Sequence, residues 1–373
     1  MAIEGALHVS LQVAHATVAS VRVRSTRPDV ARTLLVGRTR AQVAAAVPLL
    51  FSICGRSQAA ASALACAAAV DGTVGLAGLA SARAAVAAEM LREAAWRTLL
   101  DMPRAIGESP HDDAVAAARR ALAPADGGAR HALARAAFGV DAAAFLALDD
   151  VDAFERWCDR GATAAARFVR DLRRDADAPH ARAPRPGAAT EGDAVPWLAG
   201  CDVPAALPAL VASLEREPDF AQCPHWDGSA AETGALARQR GDALVQAVLA
   251  RDAGCLRARF VARLRELARL LAGDFEPDVG VRALGDGAAV AWVDNARGVL
   301  LHRVQVDAAR DDARVAGYTI VAPTEWNFHP EGALVRALVG SPVADPDVLR
   351  RRATRLIHSL DPCVACEVTI DDA

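Results

Sequence analysis

AGYTIVAPTEWNFHPEGALVRALVGSPVADPDVLRRRATRLIHSLDPCVAC, residues 316–366, is the stretch on which the fold turns. Its opening residues finish a run rich in β-branched positions, which predicts a strand. Asp345 followed by Pro346 marks a helix start, the aspartate as cap and the proline in the first turn, and the helix is expected to run towards Leu360. Asp361 and Pro362 then deliver Cys363 and Cys366. Two thiolates at that spacing can grip one soft metal, because a turn brings both sulfurs to the same side. Taken alone, the pair is equally a zinc half-site, a redox pair or two buried thiols.

Upstream, AVAWV, VLLHRVQV and VAGYTIVA within 288–321 predict an antiparallel meander. Two helices are expected before it, at about 229–251 and 254–272. In the second, Leu256, Phe260, Val261, Leu264, Leu267, Leu270 and Leu271 make one apolar stripe, with arginines on the other side. Residues 174–196, dense in Pro, Gly, Ala and charge, read as a flexible insertion or linker. From about 40 to 175 the chain reads as Ala-rich helices between breakers. At the front, Leu7, Val9, Leu11 and Val13 alternate with polar residues and a second run spans Val18 to Val23, predicting a hairpin. The expected fold class is mainly α with a small antiparallel β part (α+β), as one domain over 1–373 carrying the insertion at 174–196.

Composition removes several functions. All 42 Lys and Arg residues are arginine, so no P-loop, Schiff-base or kinase-type lysine exists. A net charge of −4 gives no electrostatic ground for binding nucleic acid or an anionic membrane. The start lacks the pattern of a signal peptide and no stretch has the length of a membrane span. A cytoplasmic location is therefore expected, where the eight cysteines are thiols or ligands rather than disulfides.

The motifs, in order, resemble the large subunits of NiFe hydrogenases. Pro323–Thr324–Glu325–Trp326–Asn327, Gly340, Pro342, Val343 and Asp361–Pro362–Cys363–Val364–Ala365–Cys366 follow that family's closing pattern. Arg297–Gly298 resembles its Arg-Gly turn, and Gly234–Ala235–Leu236–Ala237–Arg238 its Gly-Pro-Leu-Ala-Arg segment. Ile3–Glu4–Gly5 is similar to its opening, and Ser52–Ile53–Cys54–Gly55–Arg56–Ser57 stands where it has Arg-Ile-Cys-Gly-x-Cys. The resemblance covers about 1–70 and 223–369. It implies a hydrogenase-large-subunit-like helical core and a metal site with Cys363 and Cys366 as the main pair and Cys54 as a third ligand.

Departures from the family decide what the resemblance implies for function. Four cysteines hold nickel and iron in the family, and here Ser57 replaces one bridging thiolate with a hydroxyl, a poor ligand for soft metals. The expected histidines are Ala61 and Thr369, an arginine has become Glu331, and the acidic residue expected near Gly37–Arg38 is matched by Arg32. The long tail that catalytic precursors carry is also missing from the sequence. The resemblance therefore implies a non-catalytic accessory protein of the HupK/HoxV type. Such a scaffold carries the Fe(CN)2CO fragment transiently, taking it from a HypC-type chaperone and its iron-loading maturation complex and passing it to the large-subunit precursor. Two rivals stay open: a nickel-handling protein, because Cys54 and Cys363 match the family's terminal nickel ligands, and a metal-free mimic that organises chaperones.

Glu325 and His329 lie in the loop expected to approach the cysteines and are candidates for positioning the metal fragment. Glu4 matches a family glutamate of proton transfer and is expected only to keep strand-turn geometry. Cys66, Cys158, Cys201, Cys223 and Cys255 have no ligand spacing and are expected as ordinary thiols. Cys223–Pro224–His225 is the tempting exception. His302 and His358 are expected as hydrogen-bonded fold residues, and Arg297 and Trp326 as braces.

Overall fold

A computed structural model describes residues 5–51, 53–110, 116, 127–177, 195–252, 254–307 and 313–372. Glu4 and 178–194, most of the expected linker, lie outside them; residues 174–177 instead complete a helix. The chain opens with β1 (Ala6–Ala14) and β2 (Thr17–Ser25), an antiparallel hairpin. Its turn places His15 and Ala16 at φ 51° and 53°, the left-handed values a two-residue hairpin requires, without the usual Asn-Gly. Among the described residues, seven helices follow: α1 (Val30–Leu35), α2 (Arg40–Leu50), α3 (Gly55–Asp71), α4 (Leu76–Trp96), α5 (Met102–Ala105), α6 (Gly127–Phe138) and α7 (Ala142–Leu146). A π-helical turn, Arg97–Asp101, joins α4 to α5. After α8 (Val151–Arg160) and α9 (Ala164–Asp177) come β3 (Trp197–Leu198), α10 (Val203–Arg216), β4 (Glu232–Thr233), α11 (Ala235–Arg238), α12 (Ala243–Arg251) and α13 (Leu256–Ala272). The helix expected over 229–251 is thus three pieces. Gly234 breaks it at φ 112°, where a Cβ would meet the Arg297 carbonyl oxygen at 2.9 Å, and Asp242 caps α12 through the N–H groups of Leu244 and Val245.

α13 packs its apolar stripe into the main core, but three of its five arginines are buried too. Arg257 pairs with Glu155 at 2.6 Å, Arg259 with Glu232 at 2.8 Å and Arg265 with Asp242 at 2.8 Å, all buried. These arginines can be buried because acids from three other segments neutralise them.

The meander has four strands, β5 (Val279–Gly285), β6 (Ala288–Asn295), β7 (Gly298–Asp307) and β8 (Arg314–Val321), paired in sequence order. β5 extends the expected three. Gly280 faces Trp292 across β5 and β6, and a Cβ there would come within 2.0 Å of the indole. Gly280→Ala is accordingly expected to cost about 1–3 kcal/mol by overpacking. The measurement is the urea midpoint at unchanged m-value, and an unmoved midpoint would show that the indole swings away freely.

Past β8 come α14 (Pro323–Asn327), α15 (Ala333–Leu338) and α16 (Pro346–Leu360), the last capped by Asp345 as the sequence predicts. A strand not foreseen, β9 (Ala365–Asp372), then pairs parallel with β1, making a sheet in the order β2-β1-β9. The two ends of the chain are thereby joined, and Cys363 is drawn to the interior beside α3. Among the described residues no helix is long and apolar enough to cross a membrane.

Candidate metal centre

Cys54 is the residue before the first turn of α3 and is buried, but it does not cap the helix. Glu89 of α4 does so instead. Its carboxylate accepts the N–H of Arg56 at 2.8 Å, the N–H of Ser57 at 3.2 Å and the Ser57 hydroxyl. An anion at a helix N-terminus is favourable, and here it claims three donors at once. Burial nonetheless holds the Glu89 carboxyl above its ordinary pKa. Ser57 is therefore committed as a donor to a carboxylate, not offered to a ligand.

Cys363 arrives from the other end of the sequence. Asp361, at φ 52°, ends α16 in the left-handed region and turns the chain inward. The Cys363 sulfur lies 3.0 Å from Thr324 Oγ1 and receives an N–H from Arg27 at 3.6 Å, while the Cys363 N–H donates to Thr324 at 3.4 Å. Gln58 Nε2 donates to Cys54 Sγ at 3.6 Å. Cys54 and Cys363 lie close enough to feel each other's charge, and Arg297 and Arg27 act on Cys54 in the opposite sense. Burial comes first, however, and with Cys363 and Glu89 pushes the Cys54 thiol up to about 12. A soft cation displacing that proton would find two sulfurs already within the influence of two guanidiniums.

Arg27 and Arg297 carry no motif signal for this role. Arg27 follows β2, and burial works against its charge, yet Cys363, Cys54 and Glu325 outweigh it and hold its pKa above the ordinary value. Arg297, expected as a brace, is one: it bridges to Glu93 at 3.1 Å and Asp361 at 3.9 Å. It is also a charge partner of both thiols. Asp361 in turn bonds Arg97 at 2.9 Å. Burial alone would raise its carboxyl, but Arg297, Arg97 and Arg263 bring it down to about 2.

Cys366 stands apart from the Cys54–Cys363 pair. It is the second residue of β9, half-buried opposite Leu7, and its thiol is raised to about 11 by burial and then by Glu367. A cavity of about 370 Å³ reaches both Cys363 and Cys366, with Ile53, Arg97, Arg263, Arg355 and His358 in its wall. Glu325 is buried near Arg27, and burial lifts it to about 7 against that cation. His329 accepts the N–H of Glu331 at 3.1 Å and senses His225, not the thiols. His225 itself bonds Glu217 at 2.9 Å, while Cys223 is exposed and feels the charge of Glu325. Among the described residues no group of three or more His, Cys, Asp or Glu side chains could hold a metal ion. The four-thiolate centre of the large subunits does not fit these residues.

The family model for nickel-dependent hydrogenase matches residues 275–369. The hydrogenase expression/formation protein HupK of Rhizobium leguminosarum is 34% identical over 99% of this chain and 97% of its own. The chain belongs to the HupK family. Hydrogenase expression/formation protein HoxV of Cupriavidus necator is 36% identical over 43% of each chain. The fold is that of hydrogenase large subunits: the NiFeSe hydrogenase of Desulfovibrio vulgaris Hildenborough superposes with a TM-score of 0.57 over 94% of both chains, at 17% identity. This family member thus keeps the fold while its Ser57 has been turned to structural use.

Proposed function

We propose that the chain serves hydrogenase formation as a non-catalytic scaffold, holding an Fe(CN)2CO fragment between Cys54 and Cys363 before the fragment passes to the large-subunit precursor. One observation carries this reading. Two thiols from opposite ends of the sequence share Arg27 and Arg297, while the position of a bridging thiolate is a serine bound to Glu89. Thiolates suit a soft iron centre, and guanidiniums balance its negative charge and can donate to cyanide nitrogens. Two sulfurs hold such a fragment less firmly than a cage of four, which suits a carrier that must let go. The cavity beside Cys363 and Cys366 supplies a route in. A HypC-type chaperone with its iron-loading complex is the donor in this scheme, in the cytoplasm.

Nickel handling is the second reading, because the two thiols that meet match the terminal nickel positions. An infrared spectrum of protein purified without oxygen, from a host expressing the accessory genes, separates the two. Cyanide and carbon monoxide bands are the expected result. A blank spectrum with bound nickel would overturn the iron reading, and a blank spectrum without metal would favour a metal-free mimic.

A further inference from the structure

Gln58, His302 and Tyr318 come from α3, β7 and β8 and are 0%, 0% and 4% exposed. They form a line. The Tyr318 hydroxyl lies 2.8 Å from His302 Nδ1, His302 Nε2 lies 2.8 Å from Gln58 Oε1, and Gln58 Nε2 donates to Cys54 Sγ at 3.6 Å. Burial drives the His302 imidazole down to about 3, so the ring is neutral and carries one N–H.

The directions follow from counting protons. The Gln58 carbonyl can only accept, so the ring hydrogen sits on Nε2. Nδ1 is then a bare lone pair, so the phenol donates to it. What remains of the amide is its N–H, and that faces the sulfur. Every donor in the line points towards Cys54, and aligned hydrogen bonds polarise one another.

We propose that Tyr318, His302 and Gln58 are positioning residues that form a one-way relay, presenting an amide N–H to the Cys54 sulfur and holding that sulfur as an acceptor. An acceptor is what a sulfur is when it ligates a soft metal, since it then has lone pairs and no proton to give. The reversed line would turn the Gln58 carbonyl onto the sulfur, which suits a thiol that donates its S–H but sets lone pair against lone pair once the sulfur is a ligand. A network that merely satisfied buried polar groups would be indifferent to direction. The effect on bound cargo rests on the carrier reading, whereas the direction of the relay does not.

Nitrogen NMR of the full, unloaded chain labelled at histidine tests the direction, with the His302 signals identified by their loss in His302→Gln. The Nε2–H tautomer is expected in the parent protein, and Tyr318→Phe should keep it, because the Gln58 carbonyl still takes the Nε2 hydrogen. An Nδ1–H ring in the parent would overturn the relay. In protein carrying the iron fragment, Gln58→Met and Tyr318→Phe should both move the carbon monoxide band to lower frequency, because a sulfur relieved of its hydrogen bond donates more electron density to iron. Tyr318→Phe guards against a Gln58 variant that does not fold. An unmoved band in Tyr318→Phe protein would overturn the action on the sulfur. If the parent shows no bands the carrier reading falls, and the tautomer alone decides the relay.

Discussion

Cys363→Ser is expected to strip the chain of its iron fragment, Cys54→Ser to do the same, and Cys366→Ser to leave most of the fragment in place. The ranking follows from where the sulfurs lie. Cys54 and Cys363 feel the charges of the same two arginines, so either change removes one of two thiolates and replaces it with a hydroxyl that stays protonated near neutral pH. The loss should exceed the roughly 10–100-fold that removing an outer-shell partner costs a metal site. Cys366 belongs to the cavity wall, where Glu367 is the charge it feels, so its loss should slow loading more than retention. Infrared band intensity and iron per chain are the readouts, with the thermal midpoint as a check on folding. Equal losses in the Cys363 and Cys366 variants would return the ligand pair to the Cys-x-x-Cys motif.

That contrast shows which parts of the site could be read from sequence. The spacing of Cys363 and Cys366 suggests a pair because a simple turn would align the sulfurs. The structure puts a left-handed residue before the first and a strand under the second, and one feels Arg27 while the other feels Glu367. The alternation of Cys366, Val368 and Ile370 is a strand signal that was legible in principle. Elements with local causes, the front hairpin and the Asp345-capped helix, match the expectation. The arginines of α13 do not, because binary patterning assigns charge to solvent and cannot foresee that Glu155, Glu232 and Asp242 converge on one helix from distant segments. Cys54 becomes a candidate only through the resemblance of its segment to a family motif. Arg27, and the contact of Gln58 with His302, depend on which elements pack together, and no spacing in the chain encodes that.

Arg238→Met is expected to destabilise the fold by about 3–5 kcal/mol, the range for removing one partner from a buried ion network. Against the roughly 5–15 kcal/mol that typically separates folded from unfolded protein, such a loss is a large share. The Arg238 side chain is 4% exposed and reaches Glu266 at 2.6 and 2.8 Å, Asp294, and the carbonyls of Asn295 and Ala296 at 2.8 and 3.3 Å. Without it, Asp294 and Glu266 would be left as buried carboxylates sharing no cation, although Asp294 keeps the Gly200 N–H at 2.6 Å. Burial already lifts Asp294 to about 6 from an ordinary 3.8, even with Arg238 pulling it down. An acid whose folded pKa is raised binds its proton more readily in the folded state, so stability is regained as pH falls through the folded pKa towards 3.8. Removing the cation raises that pKa further. The deficit of Arg238→Met relative to the parent should therefore shrink between pH 7 and pH 5, in urea titrations run at both. A deficit that is the same at both pH values would show that packing, not unpaired charge, is what the arginine supplies. The consequence reaches the thiols as well. Asn295 and Ala296 form the turn that carries Arg297, and Arg297 holds Asp361 and faces Cys54 and Cys363, so loosening this anchor should weaken the candidate site along with the fold.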